Sequence, residues 1–267
     1  MDSIKFNELA KIIRSCGQEA KGQQNKIHRN FKPDGTIITE TDLAISKEVI
    51  KAINDIFGED DNYNIVCEEI DLKNFDKKKP YTFVLDPIDG TDAYSQGFPS
   101  WCVALGILDA NRIPRGAIIS APRFGVGSEE LFITTEPDSN DIFLNGELLE
   151  INTKANPPRQ ITIGSNILKE IDISAYKGKI RSFASSIIHM LCPVVFQNID
   201  ACINPTCYAW DIAASYAFIL KANMDVEYIN GDKFIFDDNI LINREKYYKP
   251  LIIGSEEGRT TLRNLIK

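Results

Sequence analysis

The sequence is poor in the side chain on which many catalytic and metal sites depend. It has only two histidines, His28 and His189, in 267 residues, which excludes a three-histidine zinc site and leaves little imidazole acid–base chemistry. His28 lies in a polar stretch and His189 in the apolar segment "SSIIHMLCPVV". Both are interpreted as loop or packing residues. If the chain is an enzyme, carboxylates, hydroxyls and bound cations must carry the reaction.

Several other signals are missing as well. The six cysteines form no CxxC pair and have mostly apolar neighbours, so buried thiols are expected rather than disulfides or zinc ligands. No segment is long and apolar enough to cross a bilayer, and the N-terminus lacks the apolar core of a signal peptide. The net charge is −8, with no dense basic block beyond Lys77–Lys79, which argues against a nucleic-acid-binding face. We expect a cytoplasmic protein without membrane contact.

What is present in the first half is a pair of helices followed by a run of strands. Periodic apolar residues predict helices over Ile4–Ala20 and Asp42–Phe57, and Gly58 is a suitable stop for the second. Short β-branched runs from Ile65 onward predict strands, which end in a hairpin around Asn145-Gly146. We predict an α+β part over residues 1–150.

The second half alternates strands with helices. The pattern predicts helices over Ser185–Val195 and Trp210–Asn223 and another from Glu256, with short apolar strands between them. Such alternation indicates an α/β layer. The polar, proline-containing segment Asn152–Gln160 is the predicted boundary, so the second part covers residues 151–267. No internal repeat or low-complexity tract is found.

The most informative segment is "YTFVLDPIDGTDAY", which spans Tyr81–Tyr94. Asp86, Asp89 and Asp92 fall within seven residues at the end of an apolar strand, where like charges repel and resist desolvation unless something compensates them. A strand end followed by glycine and a helix start suits hard cations that bridge to a phosphate ester. The alternative is a solvated Asp-Gly turn in which Asp92 caps the helix.

Two further acidic positions favour the cation. Glu68 and Glu69 follow another apolar run, and Asp211 starts an apolar helical pattern. Each of these two positions alone is commonly a solvated strand end or a first-turn helix charge. Together with the acids that follow the strand at Asp86, they are better explained by convergence on magnesium. A covalent aspartyl-phosphate is not expected, because the Asp-x-Asp-Gly-Thr loop of haloacid-dehalogenase phosphatases would need an acid at Pro87.

These segments resemble the inositol monophosphatase superfamily of magnesium-dependent, lithium-sensitive phosphatases. The resemblance covers almost the whole chain and rests on "TETD" (Thr39–Asp42), "EE" (Glu68–Glu69), "DPIDGT" (Asp86–Thr91), "FLNGE" (Phe143–Glu147) and "WDIAAS" (Trp210–Ser215). It implies a layered αβαβα sandwich that joins the α+β and α/β parts. It also implies a phosphomonoesterase for a small polyol, sugar or inositol phosphate, commonly assembled as a homodimer.

The resemblance further implies two or three magnesium ions in the active site. One ion would be held by Glu68, Asp86 and the carbonyl of Ile88. A second would be held by Asp86, Asp89 and Asp211, and Glu68 would also face a weaker third ion. Carboxylate and carbonyl oxygens are the ligands that such hard cations prefer.

Catalytic roles follow from the same resemblance. Thr91, oriented by Asp42, would work with Glu68 to activate a water molecule. The backbone N–H groups of Gly90 and Thr91 would receive the phosphate. Lys32 matches a basic residue often found before the "TETD" segment, although a solvated surface charge explains it equally well.

The residues predicted to bind substrate are Asp89, Gly90, Thr91, Ser185, Asn204 and Asp211, with Ser165 also near the pocket. The chain departs from the family pattern at some of these places. Asn204 stands six residues before Trp210, where inositol phosphatases carry a glutamate that touches the inositol hydroxyls. Cys67 stands where a glycine is usual, and Ala184–Ser186 replace a Gly-Ser-Ala helix start.

The departure at Asn204 leaves the substrate open. The alternatives of the same fold are a 3′(2′),5′-bisphosphate nucleotidase, a fructose-1,6-bisphosphatase and a histidinol-phosphatase. A different class of answer is a non-catalytic binding protein in a regulatory complex, but intact clustered carboxylates favour an enzyme.

Overall fold

The computed structural model describes residues 1–33, 35–58, 62–71, 74–125, 127 and 129–266. Its helices are α1 Ser3–Gln23, α2 Glu40–Phe57, α3 Thr91–Ser95, α4 Ser186–Val195, α5 Ala213–Lys221, α6 Asp238–Leu241 and α7 Glu256–Leu265. The strands of the first half are β1 Asn30–Phe31, β2 Ile37–Ile38, β3 Tyr63–Cys67, β4 Tyr81–Asp89, β5 Cys102–Asp109, β6 Pro114–Ala121, β7 Leu131–Thr135, β8 Phe143–Leu144 and β9 Glu147–Leu148. Those of the second half are β10 Gln160–Ile163, β11 Lys179–Arg181, β12 Ala201–Asn204, β13 Asp225–Tyr228 and β14 Leu251–Gly254.

Two sheets organise these elements. The first has the order β3-β4-β5-β6-β7-β8-β9, in which only β3 and β4 are parallel. The second has the order β11-β10-β12-β14-β13, in which the first three strands are parallel and the last two antiparallel to their neighbours. The second sheet is therefore mixed, which agrees with a layer that alternates strands and helices.

Side-chain alternation along the strands produces five layers. On β4, Phe83 and Leu85 face the apolar cluster with α1 and α2, whereas Val84 faces the cluster formed with α4 and α5. That second cluster continues to β12 and β14, and the outer face of the second sheet packs against Leu262 of α7. The predicted αβαβα sandwich is confirmed.

The ends of several elements differ from the sequence predictions. Strand β4 continues past Asp86 to Asp89, with a register shift between the two residues. Helix α5 begins at Ala213, so Asp211 lies just before the helix rather than inside it. The cap of α3 is Gly90 without a side-chain hydrogen bond, and Asp92 is exposed in the first turn. The alternative in which Asp92 caps this helix is contradicted, because the cap position is the left-handed Gly90.

The division into residues 1–150 and 151–267 stays a prediction. The first sheet ends at Leu148 and the second begins at Gln160, but one apolar cluster contains residues from both sheets. All six cysteines are free and buried, as predicted. Among the described residues, no helix combines the length and hydrophobicity needed to cross a membrane.

Candidate functional site

Three carboxylates meet where β4 ends and α5 is about to begin. Asp86, Asp89 and Asp211 each place an oxygen so that the three atoms lie within 4.8 Å of one another. The first two come from the irregular end of β4, and packing of α5 against β5 and β6 brings Asp211 to the same edge of the sheet. The predicted convergence of these acids is therefore present in the fold.

Asp86 is the least compensated member of this group. Its side chain is 1% exposed, and neither of its carboxylate oxygens has a hydrogen-bond partner in the described part of the chain. Burial raises the pKa of Asp86 well above its usual value, and the nearby charges of Glu68 and Asp89 raise it further. A buried carboxylate with two unpartnered oxygens is costly unless a cation binds it.

Asp89 and Asp211 are held more firmly. Asp89 accepts hydrogen bonds from the Ser185 hydroxyl and from the N–H of Ile187 at 2.6 Å, so the first turn of α4 fixes its orientation. Asp211 accepts a bond from the Tyr208 N–H at 2.7 Å. Burial raises the pKa of each carboxyl to about 7 despite these bonds.

A lysine occupies the next part of the site. Lys32, between β1 and β2, lies 2.8 Å from Glu68 Oε1 and 2.6 Å from Glu69 Oε1 through its Nζ. Partial burial lowers the pKa of Lys32, but the two carboxylates outweigh it and the net shift is upward. Burial raises the pKa of Glu68 to about 7. The structure thus places Lys32 at the acidic site instead of in open solvent.

Thr91 and Asp42 are in contact. The Thr91 hydroxyl lies 3.2 Å from Asp42 Oδ1 and 2.8 Å from the carbonyl oxygen of Ile88. Asp42 is the third residue of α2 and forms a reciprocal capping box with Thr39, which fixes its carboxylate. Burial raises the pKa of Asp42 to about 6. The cap therefore presents a rigid, fully buried acceptor to Thr91.

Gly90 is required by the backbone between the carboxylates and α3. Its φ is +89°, and a Cβ built there would lie 3.0 Å from the Ser100 carbonyl oxygen and 3.3 Å from that of Ala184. Only glycine combines this left-handed conformation with such close neighbours. The turn places the start of α3 directly after Asp89.

The predicted substrate residues Ser185 and Asn204 are both fully buried. Ser185 caps α4 and holds Asp89, whereas Asn204 Nδ2 lies 3.3 Å from Tyr247 Oη and 3.5 Å from Cys207 Sγ. Ser165 is exposed in a 3₁₀ turn. Their contacts with substrate stay predictions, as do the catalytic and ligand roles assigned to the other residues.

One residue that the sequence did not indicate lies beside the site. Arg244 donates to the main-chain carbonyl of Glu68 and comes from the loop after α6. No motif marks it, because its partner is a backbone atom and its neighbours "NREKYY" resemble any polar loop.

The residues present fit a divalent cation. The donor set consists of carboxylate oxygens with one main-chain carbonyl nearby, which suits magnesium. The carboxyls of this set have pKa values that burial raises, so the bare site holds unfavourable negative charge. A bound cation would compensate that charge at Asp86, to which no group of the described chain donates a hydrogen bond.

Comparisons with known proteins show which proteins this chain is similar to. The fructose-1,6-bisphosphatase/inositol-1-monophosphatase of Methanocaldococcus jannaschii is 30% identical over 187 residues, which cover 67% of this chain and 68% of that protein. The Nus factor SuhB of Xylella fastidiosa is 26% identical over 237 residues, covering 83% of this chain and 81% of its own. The solved Thermotoga maritima IMPase superposes with a TM-score of 0.77 at 19% identity, over 99% of this chain and 96% of the other.

The family match spans both sheets and every acidic residue of the site. It covers residues 4–259 and is to the inositol monophosphatase family, a family of phosphatases. At 19% identity the Thermotoga structure shows the shared fold alone, whereas the family match extends over nearly the whole sequence. The chain belongs to the inositol monophosphatase family.

Proposed function

We propose that this protein is a magnesium-dependent phosphomonoesterase that hydrolyses a small polyol, sugar or inositol phosphate. The observation that carries the proposal is Asp86, whose two buried oxygens have no partner among the described residues and lie in a cluster with Asp89 and Asp211. Together with Glu68 and the Ile88 carbonyl, these residues would hold two or three magnesium ions. When bound, the ions supply positive charge that offsets the phosphate and acidifies water.

The chain's own groups would receive the proton of the attacking water. Thr91 has a single hydroxyl hydrogen, which it can give to Asp42 or to the Ile88 carbonyl, and in either case an oxygen lone pair stays available. Asp42 is kept in place by Thr39, so the hydroxyl keeps its orientation. Glu68 would be the second group of the chain to act on the attacking water, and Lys32 Nζ contacts its carboxylate at 2.8 Å.

The substrate class rests on the relative from Methanocaldococcus jannaschii, whose name includes both a sugar bisphosphatase and an inositol monophosphatase activity. Asn204 is neutral and buried in this chain, so it cannot provide the charged contact to inositol hydroxyls that the family glutamate provides. We therefore propose polyol, sugar and inositol phosphates equally as candidate substrates.

The test compares hydrolysis of a panel of phosphate esters by the wild type, Asp86→Asn and Asp92→Asn, with and without magnesium and lithium. Asp92 is the matched control, because it lies in the same segment but is exposed. We expect kcat/KM to fall by more than about a hundredfold in Asp86→Asn, since even outer-shell losses cost about 10–100-fold. Asp92→Asn should retain wild-type activity. Equal activity in Asp86→Asn and the wild type would contradict the proposal.

A regulatory binding protein is the second candidate, because a relative from Xylella fastidiosa is named as a Nus factor. The wild type and the Asp86→Asn variant also distinguish an enzyme from a regulatory binding protein. A scaffold that keeps the cation site would show a magnesium-dependent rise in Tm, absent in Asp86→Asn, but would hydrolyse no ester of the panel. Turnover that depends on Asp86 favours the enzyme.

A further inference from the structure

Arg244 has contacts that the proposed chemistry does not use. It lies in the loop between α6 and β14, far along the chain from Glu68, yet its guanidinium reaches the backbone beside that residue. We infer that Arg244 is a positioning residue, which fixes the main chain of Glu68 against the segment that carries Asp211. The inference rests on the proposed function, in which both acids bind cations.

The first contact is with the end of β3. Arg244 Nη2 donates to the Glu68 carbonyl oxygen at 2.8 Å, and Nη1 lies 3.4 Å from the carbonyl oxygen of Ile70. The strand ends at Cys67, so these carbonyls lie beyond the regular ladder. The guanidinium is a rigid, planar fork that presents N–H donors from two different nitrogens at a fixed separation, whereas the donors of a lysine all radiate from one atom.

The second contact is with the residue before Asp211. The Arg244 guanidinium carbon lies 4.8 Å from the centroid of the Trp210 ring, within the range of a cation–π interaction. Trp210 is buried and stacks on Tyr208 with a centroid distance of 4.7 Å and an interplanar angle of 14°. The same Tyr208 donates its N–H to Asp211. One side chain therefore contacts both acidic segments.

The loop that carries Arg244 has an unfavourable backbone conformation at this residue. Arg244 has a φ of 58°, a left-handed value that costs a non-glycine residue free energy. Tyr247 anchors the same loop through its N–H, which donates to the Cys207 carbonyl oxygen at 3.2 Å, and through its hydroxyl, which contacts Pro205. The loop thus docks on the segment before Asp211 and presents Arg244 to Glu68.

Fixing the main chain of Glu68 matters because the site holds several carboxylates close together. Asp86 has no hydrogen-bond partner among the described residues, and the Glu68 carboxylate contacts Lys32 Nζ at 2.8 Å, so the position of Glu68 beside Asp86 depends on contacts made elsewhere in the chain. The Glu68 N–H donates to the Leu85 carbonyl oxygen at 3.2 Å, which fixes one side of its backbone. Arg244 fixes the other side. With both contacts in place, the Glu68 main chain is fixed before any cation binds, while Lys32 Nζ contacts its carboxylate.

Two variants distinguish an effect of the Arg244 charge from an effect of the guanidinium geometry. Arg244→Gln removes the charge and the fork, whereas Arg244→Lys keeps a positive charge but loses the planar arrangement of donors on two nitrogens. If the guanidinium acted by its charge alone, the lysine variant would match the wild type. Positioning predicts that both variants weaken cation binding.

The matched control is Arg112. It too has a left-handed φ, of 61°, lies over an aromatic ring, that of Phe75, at 5.6 Å, and donates to a main-chain carbonyl, that of Phe236, at 3.2 Å. Its charged partner is Asp238, which is outside the acidic site. Arg112→Gln therefore reproduces the loss of a clamping arginine without touching Glu68.

The experiment measures magnesium binding by titration calorimetry, with the Tm in chelator as a check on folding. We expect Arg244→Gln to weaken the affinity by about tenfold or more, as outer-shell losses do, Arg244→Lys to weaken it less but measurably, and Arg112→Gln to stay within about twofold of the wild type. If Arg244→Gln does not fold, the lysine variant alone decides.

The outcomes distinguish the two ideas. Wild-type affinity in Arg244→Lys would overturn positioning by the fork, and wild-type affinity in both Arg244 variants would overturn any role at the site. An equal loss in the Arg112 and Arg244 variants would also overturn it, because the effect would then be a general loss of stability. Absence of magnesium binding by the wild type would instead refute the proposed function.

Discussion

At the scale of single residues, Gly90 is the position where backbone and site depend on each other most directly. Gly90→Ala should destabilise the fold because it adds a Cβ at a φ of +89°, 3.0 Å from the Ser100 carbonyl oxygen. Gly97→Ala is the matched control, since Gly97 has a φ of +83° with no atom within 4 Å of the added Cβ. We expect about 1–2 kcal/mol for Gly97→Ala and roughly 1–3 kcal/mol more for Gly90→Ala.

Chemical denaturation of the two variants gives the comparison. The prediction concerns the free energy of unfolding, so it does not depend on which ester is the substrate. If Gly90→Ala and Gly97→Ala lost equal stability, the close approach of Ser100 and Ala184 would not constrain this turn.

Residue identities at the site were largely predictable where chemistry restricts the choice. Asp86, Asp89 and Asp211 stand out because acids at the ends of apolar segments need compensation, and the fold does bring them together. The contact of Ser185 with Asp89 and the place of Arg244 beside the site were not predicted. A hydroxyl bond to Asp89 and a guanidinium bond to a backbone carbonyl depend on contacts across 96 and 176 residues, which no local pattern encodes.

At the scale of elements, α4 carries both a buried histidine and the N–H groups that bind Asp89. His189 in this helix is 3% exposed, and its Nε2 accepts the Phe183 N–H at 2.6 Å. Burial lowers its pKa to about 4 from 6.5. Because the folded state binds this proton more weakly than the unfolded state, its contribution to stability is present above about pH 6.5 and is lost as the pH falls toward 4.

The expected loss reaches roughly 3 kcal/mol near pH 4. Carboxylates with raised pKa values act in the opposite sense, since they favour the folded state at lower pH. The difference between the wild type and His189→Gln isolates the imidazole, and His28→Gln, at an exposed position, is the control. Urea unfolding from about pH 7 to 4.5 in chelator should give a shallower acid decline for His189→Gln alone. Parallel curves for all three proteins would contradict this.

Element types were predictable and element ends were less so. Apolar periodicity identified α1 and α2, and most residues of their predicted apolar faces are buried. The helices α4 and α7 were predicted as well. The register shift at the end of β4 and the short helix α6 were not foreseen. A shift of register is decided by pairing with β5, and a four-residue helix has too few positions to show a period.

At the scale of the whole molecule, the layers share their apolar interior. One cluster joins Val84 and Ala104 of the first sheet to Phe218 of α5 and to Ile253 of the second sheet. A fragment of residues 1–150 would expose one face of the first sheet, so we expect it not to fold alone. The intact chain should unfold in a single cooperative transition.

Calorimetry in the presence of chelator checks this expectation through the ratio of calorimetric to van't Hoff enthalpy, which should be about one. A fragment of residues 1–150 with a native near-ultraviolet circular dichroism spectrum, or two separate transitions, would support two independent domains instead. The homodimer implied by the family resemblance stays a prediction, and sedimentation of the same protein tests it.

The six buried free thiols allow local opening of the folded structure to be measured. They are spread through the layers, from Cys16 in α1 and Cys102 in β5 to Cys192 in α4 and Cys202 in β12. A thiol reagent can modify each one only when its surroundings open, so labelling rates followed by mass spectrometry resolve the opening of each layer in the unmodified protein. Cys207, which lies beside Asp211 in the same segment, would report how cation binding changes the motion of the site without any label being engineered.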